Sequence, residues 1–139
     1  MREPGLESPQ PAGMSRAIPH LDTRDQAALD DVVARLVRRY GRQLVEVTLF
    51  GSKARGDAGP ESDLDLLIVI RGAEGTLAEQ WWAVADLTAE VEIAHGIALS
   101  FLLKDEAGIS AMRRRRPLLV REIERDGIAL WTLRPDATT

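Results

Sequence analysis

The stretch LFGSKARGDAGPESDLDLLIVI, from Leu49 to Ile70, constrains this chain more than any other. It holds a Gly-Ser pair (Gly51, Ser52), then ten residues, then Asp63-Leu64-Asp65 running directly into Leu66-Leu67-Ile68-Val69-Ile70. Apolar Leu44, Val45, Val47, Leu49 and Phe50 precede the pair. The pattern predicts strand, glycine-rich turn, strand, with polar chemistry at the turn and at the start of the second strand. Each motif alone says little, because Gly-Ser turns are common and an Asp-x-Asp before a strand is usually a solvated strand entry. Their combination is rare: average residue frequencies give a chance match in roughly one chain of this size in a thousand.

Residues i and i+2 of a strand share a face, so the Asp63 and Asp65 carboxylates are expected to project together. Adjacent carboxylates repel, and one would hold a proton unless a cation lies between them. The chain has no cysteine and only two histidines, His20 and His95, so a hard oxygen pair suits Mg²⁺ or Mn²⁺ rather than zinc. Gly51 lets a ligand approach the backbone. Ser52 adds a hydroxyl, and the amides of Ser52 to Ala54 are suited to open a short helical turn toward an anion. Lys53 and Arg55 are expected as cations within reach of the same place. A phosphate cradle facing a metal-binding carboxylate pair is the layout that holds a metal–nucleoside triphosphate.

At 139 residues the chain is read as one domain, large enough for a core without disulfides. The lack of cysteine excludes thiolate zinc sites and cysteine nucleophiles, and two histidines argue against a Ser-His-Asp triad. A net charge of −4 argues against a duplex-DNA surface. No apolar run approaches the ~18 residues of a membrane span, and the N-terminus lacks the apolar core of a secretory signal. A cytoplasmic location is the expectation.

Residues 1–20 carry four of the seven prolines and are expected to be a disordered tail. A helix is predicted from Asp22 or Thr23, with Leu29, Val32, Val33, Leu36, Val37 and Tyr40 on one face and Gly41 as its stop. After the central stretch, Leu77, Trp81, Val84, Leu87 and Val91 repeat at helical spacing until Gly96. Ile97 to Leu103 reads as a third strand, and Lys104 to Arg116 as a polar segment. Pro117 opens a short helix to Asp126, closed by Gly127, before a last edge strand at Ile128 to Trp131. Residues 134–139 are read as a tail. The order α, β, β, α, β, α, β predicts an α/β fold of the α+β-like kind. It would be a mixed sheet of about three to five strands with helices packed on it, within residues 21–133. Trp81 fits the apolar stripe of its helix and is expected in the core. Trp82 falls off the stripe and is either a half-exposed residue or an interface anchor. Arg113 to Arg116 point all round a helix, so solvation is their expected state.

The central constellation resembles the nucleotidyltransferase superfamily to which the DNA polymerase β palm belongs, and in particular the minimal nucleotidyltransferase domains of bacteria and archaea. The likeness rests on Gly51-Ser52, on Ala54-Arg55-Gly56 and on Ser62-Asp63-Leu64-Asp65-Leu66, with a looser match in PLLVREIERDGIALW. The resemblance implies a polymerase β palm-like fold. It implies transfer of a nucleoside monophosphate, AMP from ATP foremost, to a hydroxyl of a protein, RNA or small-molecule acceptor, with release of pyrophosphate. Asp63 and Asp65 would be the catalytic ligands of Mg²⁺ or Mn²⁺. Gly51 and Ser52 would hold the β- and γ-phosphates, and Lys53 and Arg55 would neutralise the leaving group.

Active members commonly carry a third acid on the strand beside the Asp-x-Asp strand. Here Ile97 to Leu103 holds none, and Ala98 or Ser100 stands at that position. The resemblance therefore also implies an alternative, a weak or inactive antitoxin that acts by binding a HEPN-type toxin partner. A chain this short leaves little room for its own acceptor pocket, which favours an acceptor brought by another protein.

Overall fold

In the computed structural model, which describes residue 18 and residues 21–59 and 62–133, β2 (Leu64–Ile70) is an inner strand of a four-stranded sheet. The sheet order is β3-β2-β1-β4, where β1 spans Leu44–Phe50, β3 Leu99–Lys104 and β4 Ile128–Thr132. β1 pairs antiparallel with both β2 and β4, while β2 and β3 run parallel. Parallel neighbours need a crossover, and helix α3 (Leu77–His95) supplies it. The sheet is mixed, as the element order predicts.

Both faces of β2 are covered. Leu64, Leu66, Ile68 and Ile70 join a core with Ala28, Leu29, Val32, Val33 and Leu36 of α1 (Thr23–Tyr40) and with Val84 and Val91 of α3. Leu67 and Val69 alternate to the other face, in a smaller cluster with Met112, Val120 and Ile123 of α4 (Glu106–Arg115) and α5 (Pro117–Asp126). Burial on two sides is why β2 reads as an unbroken apolar run rather than an alternating one.

Local signals set the helix ends. The Asp22 side chain caps α1 by accepting from the Asp25 amide at 2.8 Å, and Gly41 ends it with φ 54°. Thr76 and Glu79 form a reciprocal capping box at the start of α3. His95, at the last turn of α3, lies 2.8 Å through Nε2 from Asp31, which also accepts from Arg35 at 2.9 Å. This cluster ties α3 back to α1.

Four expectations need correction. The polar segment Lys104–Arg116 contains helix α4, capped by the Asp105 side chain accepting from the Gly108 amide at 2.7 Å. The third strand starts at Leu99 rather than Ile97, although the Ala98 carbonyl still accepts from the Leu64 amide at 2.9 Å. Trp81 is not in the core: it is 42% exposed, its ring against Phe101 at the rim of the sheet. The tail expected over residues 1–20 is interrupted at Ile18, which is buried, accepts from the Leu21 amide and donates to Gln26 Oε1. The other residues of that stretch, and 134–139, lie outside the described residues.

Ile68→Ala should lower the free energy of unfolding in urea by about 2–5 kcal/mol, because it opens a cavity between two packed layers. Trp82→Ala, at a residue 66% exposed, should change it by less than about 0.5 kcal/mol. Comparable losses for the two would contradict this division of core and surface.

Candidate active site

The site forms where β1 stops and β2 starts. Phe50, the last residue of β1, is the register partner of Asp65. Gly51 follows with φ 81° and ψ −161°, a conformation essentially confined to glycine. A Cβ on Gly51 would lie 2.3 Å from Asp65 Oδ2, closer than real atoms approach. Glycine is therefore required twice, for its backbone angle and for the room it leaves beside the carboxylate.

The chain then coils into the single turn α2 (Ser52–Arg55), and Gly56 ends it with φ 84°. The Gly51 carbonyl accepts from the Ala54 and Arg55 amides at 3.1 Å, and the Ser52 carbonyl accepts from Gly56 at 2.9 Å. As at any helix start, the amides of Ser52 and Lys53 have no acceptor within the turn itself.

Asp65 alternates with Leu66 and so faces the α4–α5 side with Leu67 and Val69. Asp63 stands one residue before β2, exposed, at the spacing that sets it on the same side as Asp65. The parallel register places Ser100 opposite Asp65, and the Ser100 hydroxyl donates to Asp65 Oδ1 at 2.5 Å. Of the two residues expected at the third acidic position, Ser100 lies beside Asp65, while Ala98 comes two residues earlier, where its carbonyl accepts from the Leu64 amide.

The two cations of the turn part company. Lys53 does not reach outward as expected. Its Nζ donates to Asp25 Oδ2 at 2.7 Å, and the two side chains are only 8% and 7% exposed. The ammonium locks the turn onto α1 instead of facing a ligand. Arg55 lies on the outer side, 3.1 Å from Asp57 Oδ2 and 3.6 Å from Glu122 of α5. Arg113, at the far end of α4, pairs with Glu124 at 2.7 Å, and Arg114 to Arg116 are exposed.

The donor set fits a hard divalent cation. Asp65 keeps Oδ2 free of the Ser100 bond, turned toward the Gly51 backbone, and Asp63 adds an exposed carboxylate. Among the described residues no group of three or more His, Cys, Asp or Glu side chains converges. Two carboxylates match a Mg²⁺-type ion, which keeps several waters and completes its shell with substrate phosphate oxygens.

The model of the nucleotidyltransferase domain family matches residues 29–129, which span α1 to β4 and enclose this site. The chain belongs to that family. It is 29% identical over 91 residues to a Methanocaldococcus jannaschii protein provisionally named a protein adenylyltransferase, an alignment covering 66% of this chain and 61% of the relative. It thus spans about three fifths of that relative's length. A solved structure provisionally described as a minimal nucleotidyltransferase is 29% identical, with a TM-score of 0.50 over 78% of this chain and 96% of its own. A second, from Sulfolobus solfataricus, provisionally described as a nucleotidyltransferase, is 22% identical with a TM-score of 0.52, covering 86% of this chain and 93% of that one, and shares the fold. The polymerase β palm-like architecture expected from the central motif is the one observed.

For this nucleotidyltransferase-family domain, Gly51→Ala should cost about 1–3 kcal/mol of stability in urea. Gly59→Ala should cost little, since a Cβ at Gly59 meets nothing within 4 Å. Asp25→Ala should cost about 3–5 kcal/mol by leaving Lys53 buried without a partner, and adding Lys53→Met should restore much of it. A double variant no better than Asp25→Ala would contradict the anchoring role given to the ion pair.

Proposed function

We propose that this chain is a metal-dependent nucleotidyltransferase that moves AMP from ATP to a hydroxyl of a protein acceptor. The observation that supports the reading is the seating of the Gly51-Ser52 turn directly against Asp65, with the exposed Asp63 carboxylate two residues before it. The name of the M. jannaschii relative supports protein as the acceptor class.

In the reaction, an acceptor hydroxyl oxygen forms a bond to the α-phosphorus and gives its proton to solvent water, the bond from that phosphorus to the β-phosphate oxygen breaks, and pyrophosphate leaves. A bound Mg²⁺ supplies charge neutralisation and in-line alignment at the α-phosphate. Asp63 and Asp65 hold that ion. The Gly51 backbone and the Ser52 amide and hydroxyl orient the β- and γ-phosphates, and Arg55 adds positive charge from the outer face of the turn. Lys53 serves the same end indirectly, by fixing the turn to α1.

Ser100 favours a second reading. Its hydroxyl fixes the orientation of Asp65 but cannot accept the acceptor proton at neutral pH as a carboxylate would. On this reading turnover is slow, and the domain works by binding a HEPN-type helical toxin, with nucleotide held as a ligand.

Calorimetric titration of Mg²⁺·ATP is expected to show binding that needs Mg²⁺ and disappears in the Asp63→Ala, Asp65→Ala double variant. Equal binding by the double variant, or none by either protein with any triphosphate, would overturn the proposal. Ser100→Asp separates the two readings: a rise of at least about tenfold in Mg²⁺-dependent pyrophosphate release marks the missing acid as the limit on turnover. No change would show that proton removal is not what limits this domain.

A further inference from the structure

Three neighbouring strands carry three polar groups in a row at one end of the sheet. The order β3-β2-β1 sets Ser100, Asp65 and the Gly51-Ser52 turn side by side, since Asp65 is the register partner of Ser100 on one hand and of Phe50 on the other. Asp65 meets both neighbours: its Oδ1 accepts from the Ser100 hydroxyl at 2.5 Å, and its Oδ2 is turned toward the Gly51 backbone. Two strand spacings put the hydroxyl and the turn about 10 Å apart, with the carboxylate between them.

Ser100 has what a nucleophile needs. Its side chain is exposed, on the edge strand β3. Its proton is directed at Asp65, which leaves the oxygen lone pairs for an electrophile. A hydroxyl within hydrogen-bond reach of a basic group is also the pairing that activates serine for attack. In-line displacement at the α-phosphorus needs the attacking oxygen and the departing pyrophosphate on opposite sides of that atom. With the β- and γ-phosphates at the turn after β1, the α-phosphorus falls toward β2 and the attacking oxygen toward β3, where Ser100 stands. The same geometry rules out Ser52, which lies on the side of the leaving group. Thr48, whose hydroxyl donates to Glu46, is buried.

We propose that, when no other acceptor is bound, the domain adenylylates itself on Ser100. The step rests on the nucleotidyl-transfer reading and names one hydroxyl that the site uses. The Ser100 oxygen forms a bond to the α-phosphorus and gives its proton to solvent water, the bond from that phosphorus to the β-phosphate oxygen breaks, and pyrophosphate leaves. The product is a phosphodiester between Ser100 and AMP, made once per chain. It stands beside Asp65, so the modified chain no longer holds Mg²⁺·ATP. The residue that replaces the third acid, and fails as a proton acceptor, thus takes the nucleotide itself.

The test incubates the full chain with Mg²⁺·ATP and no added acceptor, and follows intact mass, the modified peptide and pyrophosphate. The expected result is one adenylyl group per chain, mapped to Ser100 by fragmentation, with one pyrophosphate released per chain. An adduct already on Ser100 in the purified protein carries the same meaning. The modified chain should show no Mg²⁺·ATP binding in calorimetry. Ser100→Ala should lose the adduct, and Ser100→Thr, which keeps a hydroxyl, should carry it at the same position. An ATP analogue with a methylene in place of the α,β-bridging oxygen should bind and leave the chain unmodified. Binding of Mg²⁺·ATP with no adduct, or an adduct on another residue, would overturn self-modification and leave the transfer site standing. Absence of Mg²⁺·ATP binding to the unmodified protein would overturn both.

Discussion

One close approach organises this domain: the end of β1 passes so near the start of β2 that residue 51 has no room for a side chain beside Asp65. The antiparallel ladder that pairs Phe50 with Asp65 forces the approach, and the glycine conformation turns the chain away at once into α2. The Gly51-Ser52 turn and the Asp65 carboxylate are thereby set side by side across the paired strands. Rigid placement of this kind is what positioning catalysis needs.

The rest of the fold holds that junction still. β2 is clamped between two apolar layers, so Asp65 emerges from a strand with little freedom to move. The Lys53–Asp25 pair does for the turn what the layers do for the strand. Ser100 completes the support by fixing one oxygen of Asp65 from the neighbouring strand. Of the two carboxylates, Asp63 is exposed and Asp65 half-buried.

Much of this was legible in the sequence because the informative signals were local. Capping at Asp22, the Gly41 stop, the apolar run of β2 and Pro117 at the start of α5 each act within a few residues, and each element appears where it was expected. What escaped was set by tertiary contacts. Helix α4 places only Ile109 and Met112 of its apolar residues against the core, too few to show a period among arginines. Trp81 obeys the helical spacing of the core, yet α3 meets the sheet at its rim there, leaving the ring half outside. Lys53 looked like a free turn cation because its partner lies 28 residues earlier in the chain. That the Ser100 hydroxyl meets Asp65 follows from the strand register, which no local signal in the sequence carries.

The account stands on the metal–nucleotide complex sitting between the Gly51-Ser52 turn and the Asp63–Asp65 pair. Adding Mn²⁺·ATP to the ¹⁵N-labelled protein and recording which amide resonances the paramagnetic ion broadens tests that placement directly. The account predicts early loss of the Gly51, Ser52, Asp65 and Ser100 signals, with Val84 in the middle of α3 spared. Broadening centred elsewhere on the domain, or none at saturating Mn²⁺·ATP, would contradict it.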